Sequence, residues 1–228
     1  MHSLSIVPKP LPRRDPIAEP HTDGAVVLGY VAFFDRVGYS QMSLTSQSRC
    51  VIDLTRIVTS VDEYSQAEDR DELISIATGD GMALVFFGNP LQPVCCTLQI
   101  AAMLCQYPHL KLRMGIHCGP VLRFRDIHDN ENVIGDGINM CERVMDSANE
   151  GQILVSGFLA GILKQIDDWA GCVEELGEFE VKHGTRVQLF NLRKDNLGRR
   201  KEPRAKRVDS EKRPFFDRLS TVFAAFVP

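Results

Sequence analysis

Hydrophobic and polar positions alternate in blocks along the chain, and these blocks predict a series of strands and helices. Residues 25–34 form a near-continuous apolar run, which is typical of a central strand covered on both faces. Residues 44–64 carry apolar side chains at helical spacing, which predicts one helix with a single apolar face. The residues of that face are Val51, Leu54, Val58 and Val61.

A tight hairpin is predicted next. Two apolar runs, 73–77 and 82–87, flank Gly79-Asp80-Gly81. An Asp-Gly pair between two strands is a strong signal for a short turn. Asp80 is therefore expected at the hairpin tip.

The second half of the chain continues the alternation. A helix capped by Asn89 precedes a strand over residues 110–117, which Gly119-Pro120 is expected to end. The polar segment 123–132 fits either an extended arm or a loop. The remaining predicted elements are a helix at 135–148, a strand at 152–156, a short helix to residue 165 and two strands ending at residue 192.

This order of elements predicts an α+β fold. Strand, helix, hairpin, helix and strand in succession fit a ferredoxin-like βαββαβ core, here extended by C-terminal strands and a helix. Many unrelated functions use this core, so the function has to be argued from particular residues.

Composition divides the chain into three parts. Five prolines and few apolar residues predict an extended arm over residues 1–23. Residues 24–193 contain the predicted elements and form one domain. Residues 193–218 carry 11 Lys and Arg against 5 Asp and Glu, although the whole chain has a net charge of −4. Residues 194–228 are therefore interpreted as a solvated basic linker followed by a short apolar helix.

The cysteines and the apolar runs bear on location. The seven cysteines show no paired spacing, which favours reduced thiols in a cytosol. No stretch approaches the ~20 apolar residues of a membrane span, and the first residues lack the apolar run of a signal peptide. We expect a cytoplasmic protein without stable membrane insertion and without a nucleic-acid partner.

Two carboxylates are candidates for metal binding. Asp35 follows the buried strand and Asp80 lies at the hairpin tip, so they meet at one sheet edge if the strand and the hairpin are neighbours. Mg²⁺ and Mn²⁺ prefer such oxygen ligands and leave positions open for phosphate oxygens. Taken singly, Asp80 also fits a simple turn former and Asp35 a helix-proximal cap.

Two further segments are candidates for substrate binding. Gly38 permits close approach of a phosphate to the backbone around residues 37–40. Asn139 and Arg143 stand four residues apart and share a helix face, where an amide and a guanidinium can hold a ribose and a phosphoryl oxygen. An ordinary solvated face is the alternative for this pair.

In combination, these segments resemble the class III nucleotide cyclases, and the resemblance covers about residues 26–192. FDRVGYS at 34–40 resembles the family pattern F-x-D-I-x-G-F-T, and GDGMALVF at 79–86 resembles its G-D-x-x-x-x-x-F strand. The remaining matches, in the family's order, are RMGIHCGPV at 113–121, IGDGINMCER at 134–143 and GQILVS at 151–156.

The resemblance implies a role for each matched residue. It implies a catalytic domain at 24–193 that closes a nucleoside triphosphate into a 3′,5′-cyclic monophosphate with two Mn²⁺ or Mg²⁺ ions per site. The implied metal ligands are Asp35, Asp80 and the Arg36 carbonyl. The implied substrate-binding residues are Val37, Gly38, Tyr39, Ser40 and Lys182, with Asn139 on the ribose and Arg143 on the α-phosphate. Because the family shares each site between two subunits, the resemblance also implies a homodimer.

The base-reading positions differ from those of purine-specific relatives. Ile76 stands where those relatives have lysine or glutamate, and Asn132 stands where they often have aspartate or threonine. Isoleucine cannot donate to a purine nitrogen, so we expect a pyrimidine, with UTP favoured over CTP. Tyr39, where the family usually has phenylalanine, can shorten the pocket or offer a hydroxyl to a smaller ring.

Residues 77–88 and the chain length also resemble the bacterial Pycsar pyrimidine cyclases. That resemblance implies a cyclic UMP or cyclic CMP signal in anti-phage defence, with a downstream effector linked only through the cyclic nucleotide. Three alternatives stay open: an adenylate cyclase, a non-catalytic nucleotide-sensing module and a diguanylate-cyclase-like palm. The palm is disfavoured because no GGDEF-like segment occurs.

Overall fold

A computed structural model of the protein describes residues 25–126 and 128–208. The arm predicted for residues 1–23 and the apolar helix predicted near the C-terminus lie outside the described residues. None of the helices in the described ranges is both long enough and apolar enough to cross a membrane.

Nine strands and six helices are present in the described residues. The strands are β1 (Val27–Arg36), β2 (Leu73–Ala77), β3 (Gly81–Phe86), β4 (Leu112–Arg125), β5 (Glu131–Ile134), β6 (Ile153–Ser156), β7 (Val173–Glu180), β8 (Arg186–Leu192) and β9 (Lys206–Arg207). The helices are α1 (Leu44–Thr59), α2 (Asp62–Asp69), α3 (Leu91–Leu104), α4 (Asp136–Asp146), α5 (Gly157–Leu163) and α6 (Asp167–Ala170).

The strands form one sheet in the order β2-β3-β1-β4-β6-β8-β7-β9, and β5 pairs with the far end of β4. All pairs are antiparallel except β4 with β6. The first four strands with α1, α2 and α3 make the βαββαβ core, so the predicted α+β class is confirmed.

The second half of β1, from Val31 to Asp35, is buried on both faces, as its continuous apolar sequence predicted, whereas Leu28 near its start is exposed. Ala32 and Phe34 face a core cluster shared with α1 and α3. Val31 and Phe33 point to the opposite cluster, which includes Cys141 of α4. This burial on both sides holds the end of β1, and therefore Asp35, rigidly in the sheet.

The single helix predicted over residues 44–64 is wrong. Val61 has an extended backbone, with ψ of 140°, and it separates α1 from α2. Val51 is 41% exposed and does not belong to the buried face of α1. Leu54 and Val58 are buried as predicted, and Cys50 and Ile57 complete the buried apolar face of α1 in place of Val51.

The prediction that Gly119-Pro120 ends β4 is also wrong. The strand continues to Arg125, and Pro120 pairs with Leu28 of β1. On its other edge, β4 pairs with β6 only at residues 114–116 and with β5 only from Leu122. Proline lacks an amide hydrogen, so it is tolerated where a strand has a partner on one side alone. Segment 123–132, predicted as an arm or a loop, forms the β4–β5 hairpin.

Glycines hold α4 unusually close to β4. A Cβ added at Gly115 would lie 2.5 Å from the Met145 amide nitrogen, and one added at Gly119 would lie 2.9 Å from the Gly137 Cα. Neither position tolerates a larger side chain without moving the helix. This contact fixes the position of Arg143 relative to the central sheet.

Residues 194–208 differ from the solvated linker that was expected. The Arg199 amide donates to the Gly151 carbonyl (2.9 Å), and the Arg204 amide donates to the Ser147 carbonyl (2.7 Å). The Gln152 side-chain amide donates to the Lys201 carbonyl (2.7 Å). Strand β9 then pairs with β7. The described part of the basic segment is therefore bound to the domain, and we call residues 194–208 the C-terminal strap.

Candidate active site

Asp35 and Asp80 meet at one edge of the sheet, which we call the acidic edge. In the β1–β3 register, Asp35 lies opposite Gly81, and the Arg36 amide donates to the Asp80 carbonyl (3.2 Å). The Thr78 amide donates to the Gly81 carbonyl, so the two central residues of the turn are Gly79 and Asp80, not Asp80 and Gly81. Gly79 has φ of +90°, a conformation that favours glycine. The structure thus places Asp80 at the hairpin tip, as expected.

Asp35 is a buried carboxylate with an internal counter-ion. The Arg113 Nε donates to Asp35 Oδ2 (3.0 Å), and the Arg113 Nη2 donates to the same oxygen. Burial raises the pKa of Asp35, while Arg113 opposes that rise and the neighbouring charges of Asp80 and Asp146 add to it. The two carboxylates of the acidic edge are therefore close enough to repel each other.

The acidic edge fits a divalent metal in its donor chemistry. Within the described ranges, no group of three or more His, Cys, Asp or Glu side chains is placed to hold a metal ion. The Asp35 and Asp80 carboxylates with the Arg36 carbonyl would supply hard oxygen ligands, and Mg²⁺ or Mn²⁺ takes its other ligands from water and phosphate. A cation there would relieve the repulsion between the two aspartates.

The segment predicted to bind phosphate is a tight turn. Gly38 has φ of +74°, and residues 39–41 form one turn of 3₁₀-helix. The Val37 amide already donates to the Lys111 carbonyl (2.9 Å), so in this conformation it is not available to a phosphate. The amides that begin a helical turn, here those of Tyr39 and Ser40, have no acceptor within that turn. Tyr39 also lines a cavity of 130 Å³ together with Arg36 and Asp80.

Arg143 and Lys182 share a second cavity of 290 Å³, which we call the basic cavity. Its lining residues are Arg113, Arg143, Asp146, Ser147, Glu180, Val181, Lys182, Arg204 and Ala205. The Arg143 Nη1 donates to the Thr185 hydroxyl (3.4 Å). Asn139 is exposed on α4 and is not among the lining residues, although it is one helical turn from Arg143.

Lys182 is held at the basic cavity by carboxylates of α4. Its ammonium group pairs with Asp146 and lies 3.8 Å from a Glu142 oxygen. The hydrogen bond with Asp146 raises the pKa of Lys182, so the ammonium form is favoured further. A phosphate that binds Lys182 has to compete with these carboxylates.

Arg113 and Asp146 connect the two regions, and neither was assigned a role from the sequence. The Arg113 Nη1 lies 3.5 Å from Asp146 Oδ1, so the ion pairs run from Asp35 through Arg113 and Asp146 to Lys182. Arg113 stood in the matched segment RMGIHCGPV without an assigned contact. Asp146 lies three residues beyond Arg143 on α4. This i,i+3 spacing was the only feature of the sequence that could have identified Asp146 as part of the site.

The two base-reading candidates lie on strands that contact each other without being paired in the sheet. Strands β2 and β5, which carry Ile76 and Asn132, contact each other. Ile76 is partly buried and packs against an apolar cluster that includes Val85 and Val133. The Asn132 Oδ1 accepts a hydrogen bond from the Val133 amide (2.8 Å), which leaves its side-chain NH₂ and the second lone pair of Oδ1 to offer a ligand.

Sequence comparison identifies the family. Residues 30–194 match the family described as the adenylate and guanylate cyclase catalytic domain. The chain belongs to this family and is a class III nucleotide cyclase domain. Proteins of this class bind nucleotide substrates, generally use divalent metal ions and commonly dimerise. A search of curated proteins finds no match.

Solved structures show the same fold. One neighbour is an adenylate cyclase of Trypanosoma brucei in its monomeric state, with TM-score 0.63, 16% identity and coverage of 79% of this chain and 94% of that one. Another is the guanylate cyclase domain of RhGC from Catenaria anguillulae with GTP, at TM-score 0.57, 20% identity and coverage of 73% and 96%. The adenylyl cyclase CyaB from P. aeruginosa has TM-score 0.58, 17% identity and coverage of 77% and 100%. At these identities the likeness concerns the fold alone.

Proposed function

We propose that this cyclase converts UTP to 3′,5′-cyclic UMP and pyrophosphate at sites shared between two copies of the chain. The proposal depends mainly on Ile76 and Asn132, an apolar side chain and an amide on two strands in contact, at the positions expected to read the base. The roles of individual residues in the reaction are part of the same proposal.

Ile76 disfavours both purines. Adenine offers a ring nitrogen acceptor next to an amino donor, and guanine offers two neighbouring donors, so each needs a polar partner. Ile76 packs into an apolar cluster and supplies neither a donor nor an acceptor. A purine edge left unpaired in a site that excludes water costs about 1–3 kcal/mol, which selects against purines if the smaller pyrimidine ring keeps its own polar edge away from Ile76.

Asn132 favours uracil over cytosine. The Asn132 Oδ1 already accepts a hydrogen bond from the Val133 amide, and in this proposal the side chain turns its NH₂ donor toward the base. Uracil presents a carbonyl acceptor at C4, whereas cytosine presents an amino donor there. Two facing donors repel, so UTP is the better match.

Each residue of the proposed site has its own role in the reaction. Asp35, Asp80 and the Arg36 carbonyl would hold two Mn²⁺ or Mg²⁺ ions, which when bound acidify the 3′-hydroxyl and neutralise charge at the α-phosphate. Asn139 orients the ribose so that the 3′-oxygen lies in line with the α-phosphorus. Arg143 stabilises the negative charge that develops on the α-phosphate as the bond to the β-phosphate breaks.

Lys182 and the turn at residues 37–40 hold the leaving pyrophosphate. Lys182 exchanges its contact with Asp146 for the terminal phosphates, and the amides of Gly38, Tyr39 and Ser40 face the polyphosphate. Asp35 would take the proton of the 3′-hydroxyl. The acidic edge and the basic cavity belong to opposite copies of the homodimer in this scheme.

We further propose that the product is a signal in anti-phage defence. The resemblance of residues 77–88 to the Pycsar pyrimidine cyclases supports this role. In such a system, cyclic UMP activates a separate effector, and the cyclase works in the cytoplasm. The chain would then consist of an arm at 1–23, a catalytic domain at 24–193 and a tail at 194–228.

The specificity is tested by supplying equimolar ATP, GTP, CTP and UTP with Mn²⁺ and identifying the cyclic products by mass spectrometry. We expect cyclic UMP to dominate. Cyclic AMP as the main product would support the adenylate cyclase alternative. The absence of every cyclic product would support the non-catalytic alternative. The observation that favours this alternative is the hydrogen bond from Arg113 to Asp35, which uses an oxygen of a proposed metal ligand.

A substitution at Asn132 sharpens this test. Asn132→Asp replaces the donor by an acceptor, so we expect the ratio of kcat/KM values for UTP and CTP to fall at least about tenfold toward CTP. Asn132→Ala is the control, because it removes the donor without adding an acceptor and is expected to weaken the preference without inverting it. An unchanged ratio in Asn132→Asp would exclude this residue from base recognition.

A further inference from the structure

The C-terminal strap brings one arginine to the basic cavity. Arg204 lines the cavity beside Arg143 and Lys182. Its amide donates to the Ser147 carbonyl (2.7 Å) at the end of α4, and the preceding Pro203 is buried. The backbone of the strap is therefore anchored to the same helix that carries Arg143.

The basic cavity contains positive charge that the protein does not neutralise internally. Its lining includes four cations, Arg113, Arg143, Lys182 and Arg204, against the two carboxylates Asp146 and Glu180. Arg113 and Lys182 take part in ion pairs with carboxylates. Among the residues that the structure describes, Arg143 and Arg204 form no ion pair with a carboxylate.

Two arginines without carboxylate partners that line one cavity indicate a polyanionic ligand. A guanidinium has a planar fork of donors that matches a phosphate, and such charge-assisted hydrogen bonds are about twice as strong as neutral ones. A single anion such as chloride would use only part of this donor set. A polyphosphate can contact both arginines at once.

Arg204 lies outside the part of the chain that matches the family. The family match ends at residue 194, ten residues before Arg204. The strap therefore adds a cation to the cavity that the shared family pattern does not contain. Its position depends on the strap's return to α4 and not on any spacing within the matched segments.

We propose that Arg204 is a substrate-binding residue, which holds the β- and γ-phosphates of the nucleoside triphosphate while Arg143 contacts the α-phosphate. This inference deepens the proposed function and rests on it for the identity of the substrate. The cavity's preference for a polyphosphate is independent of cyclase activity.

Binding of inorganic tripolyphosphate to the full chain, measured by calorimetry without metal, tests the cavity directly. We expect Arg204→Ala to weaken binding about tenfold, which corresponds to about 1.4 kcal/mol. Lys206→Ala is the matched control, because it removes the same charge two residues away and Lys206 does not line the cavity. Equal affinities of the parent, Arg204→Ala and Lys206→Ala would overturn the proposal.

Kinetics with UTP separate this inference from the proposed function. If the parent makes cyclic UMP, Arg204→Ala should raise KM about tenfold with a smaller change in kcat, and Arg204→Lys should restore part of the loss. If the parent makes no cyclic product but tripolyphosphate binding still depends on Arg204, the polyphosphate site stands and the cyclase proposal fails. Unchanged KM in a folded Arg204→Ala variant of an active parent would overturn the substrate-binding role.

Discussion

The acidic edge and the basic cavity differ in how far their charged side chains are buried and in whether the same chain neutralises them. Asp35 lies at the end of a strand covered on both faces, its side chain is 12% exposed, and Arg113 neutralises it from within the same chain. Lys182 lies on a turn between β7 and β8 with its side chain 56% exposed. Arg143 and Arg204, in the same cavity, have no carboxylate partner among the described residues.

This difference bears on what each region can tolerate. Removal of a partner from a buried ion pair leaves a charge that water cannot solvate, whereas Arg143 and Arg204 have no carboxylate partner that their removal would leave behind. We therefore expect changes in the acidic edge to affect both stability and activity. Changes at Arg143, Lys182 or Arg204 in the basic cavity should affect ligand binding and turnover with little loss of stability.

The largest effect is expected for the two aspartates of the acidic edge. Asp80→Ala and Asp35→Ala should each lower turnover by more than about 100-fold, because even an outer-shell partner of a metal contributes about 10- to 100-fold. The two variants should differ in stability. Asp35→Ala leaves Arg113 without its main partner and should lower the free energy of unfolding by about 1–3 kcal/mol.

Denaturant unfolding followed by circular dichroism measures this second difference. Asp80 has no ion pair among the described side chains, so Asp80→Ala should unfold within about 0.5 kcal/mol of the parent. Equal losses of stability in both variants would contradict the internal counter-ion role of Arg113. Activity within a few-fold of the parent in either variant would contradict the metal assignment.

Mixing two inactive variants should restore activity if the two regions act across a dimer. Asp80→Ala loses the acidic edge and Arg143→Ala loses the basic cavity, so a heterodimer has one intact site. With free subunit exchange, an equal mixture should reach about a quarter of the parent activity. Subunit exchange is followed independently by energy transfer between labelled chains, and exchange without recovered activity would exclude the shared site.

A smaller effect is expected at Asp146, which joins the two regions. Asp146→Asn removes the carboxylate that competes with phosphate for Lys182, so tripolyphosphate should bind about two- to fivefold more tightly. Calorimetry at low and high salt checks this, because the gain should shrink as salt screens the charges. An affinity unchanged at low salt would show that Asp146 does not limit access to Lys182.

Much of the fold was predictable from local pattern. The apolar run of β1, the hairpin with Asp80 at its tip and the helix that carries Arg143 all follow from spacings within about ten residues. Such spacings report which side chains share a face or a turn, and these relations depend little on the rest of the chain. The matched segments likewise pointed to the family before any geometry was available.

The sequence by itself therefore determined the α+β class, the position of Asp80 at a hairpin tip and the nucleotide cyclase family. Only the tertiary structure decided that β4 continues through Pro120, that Arg113 neutralises Asp35 and that the C-terminal strap brings Arg204 to α4. These features depend on which strand edge lacks a partner and on contacts between residues far apart in the chain. Asp35 and Arg113, for example, are separated by 78 positions in the sequence. Composition indicated a basic tail, but its return to the domain depends on hydrogen bonds to Gly151, Gln152 and Ser147, which local spacing cannot show.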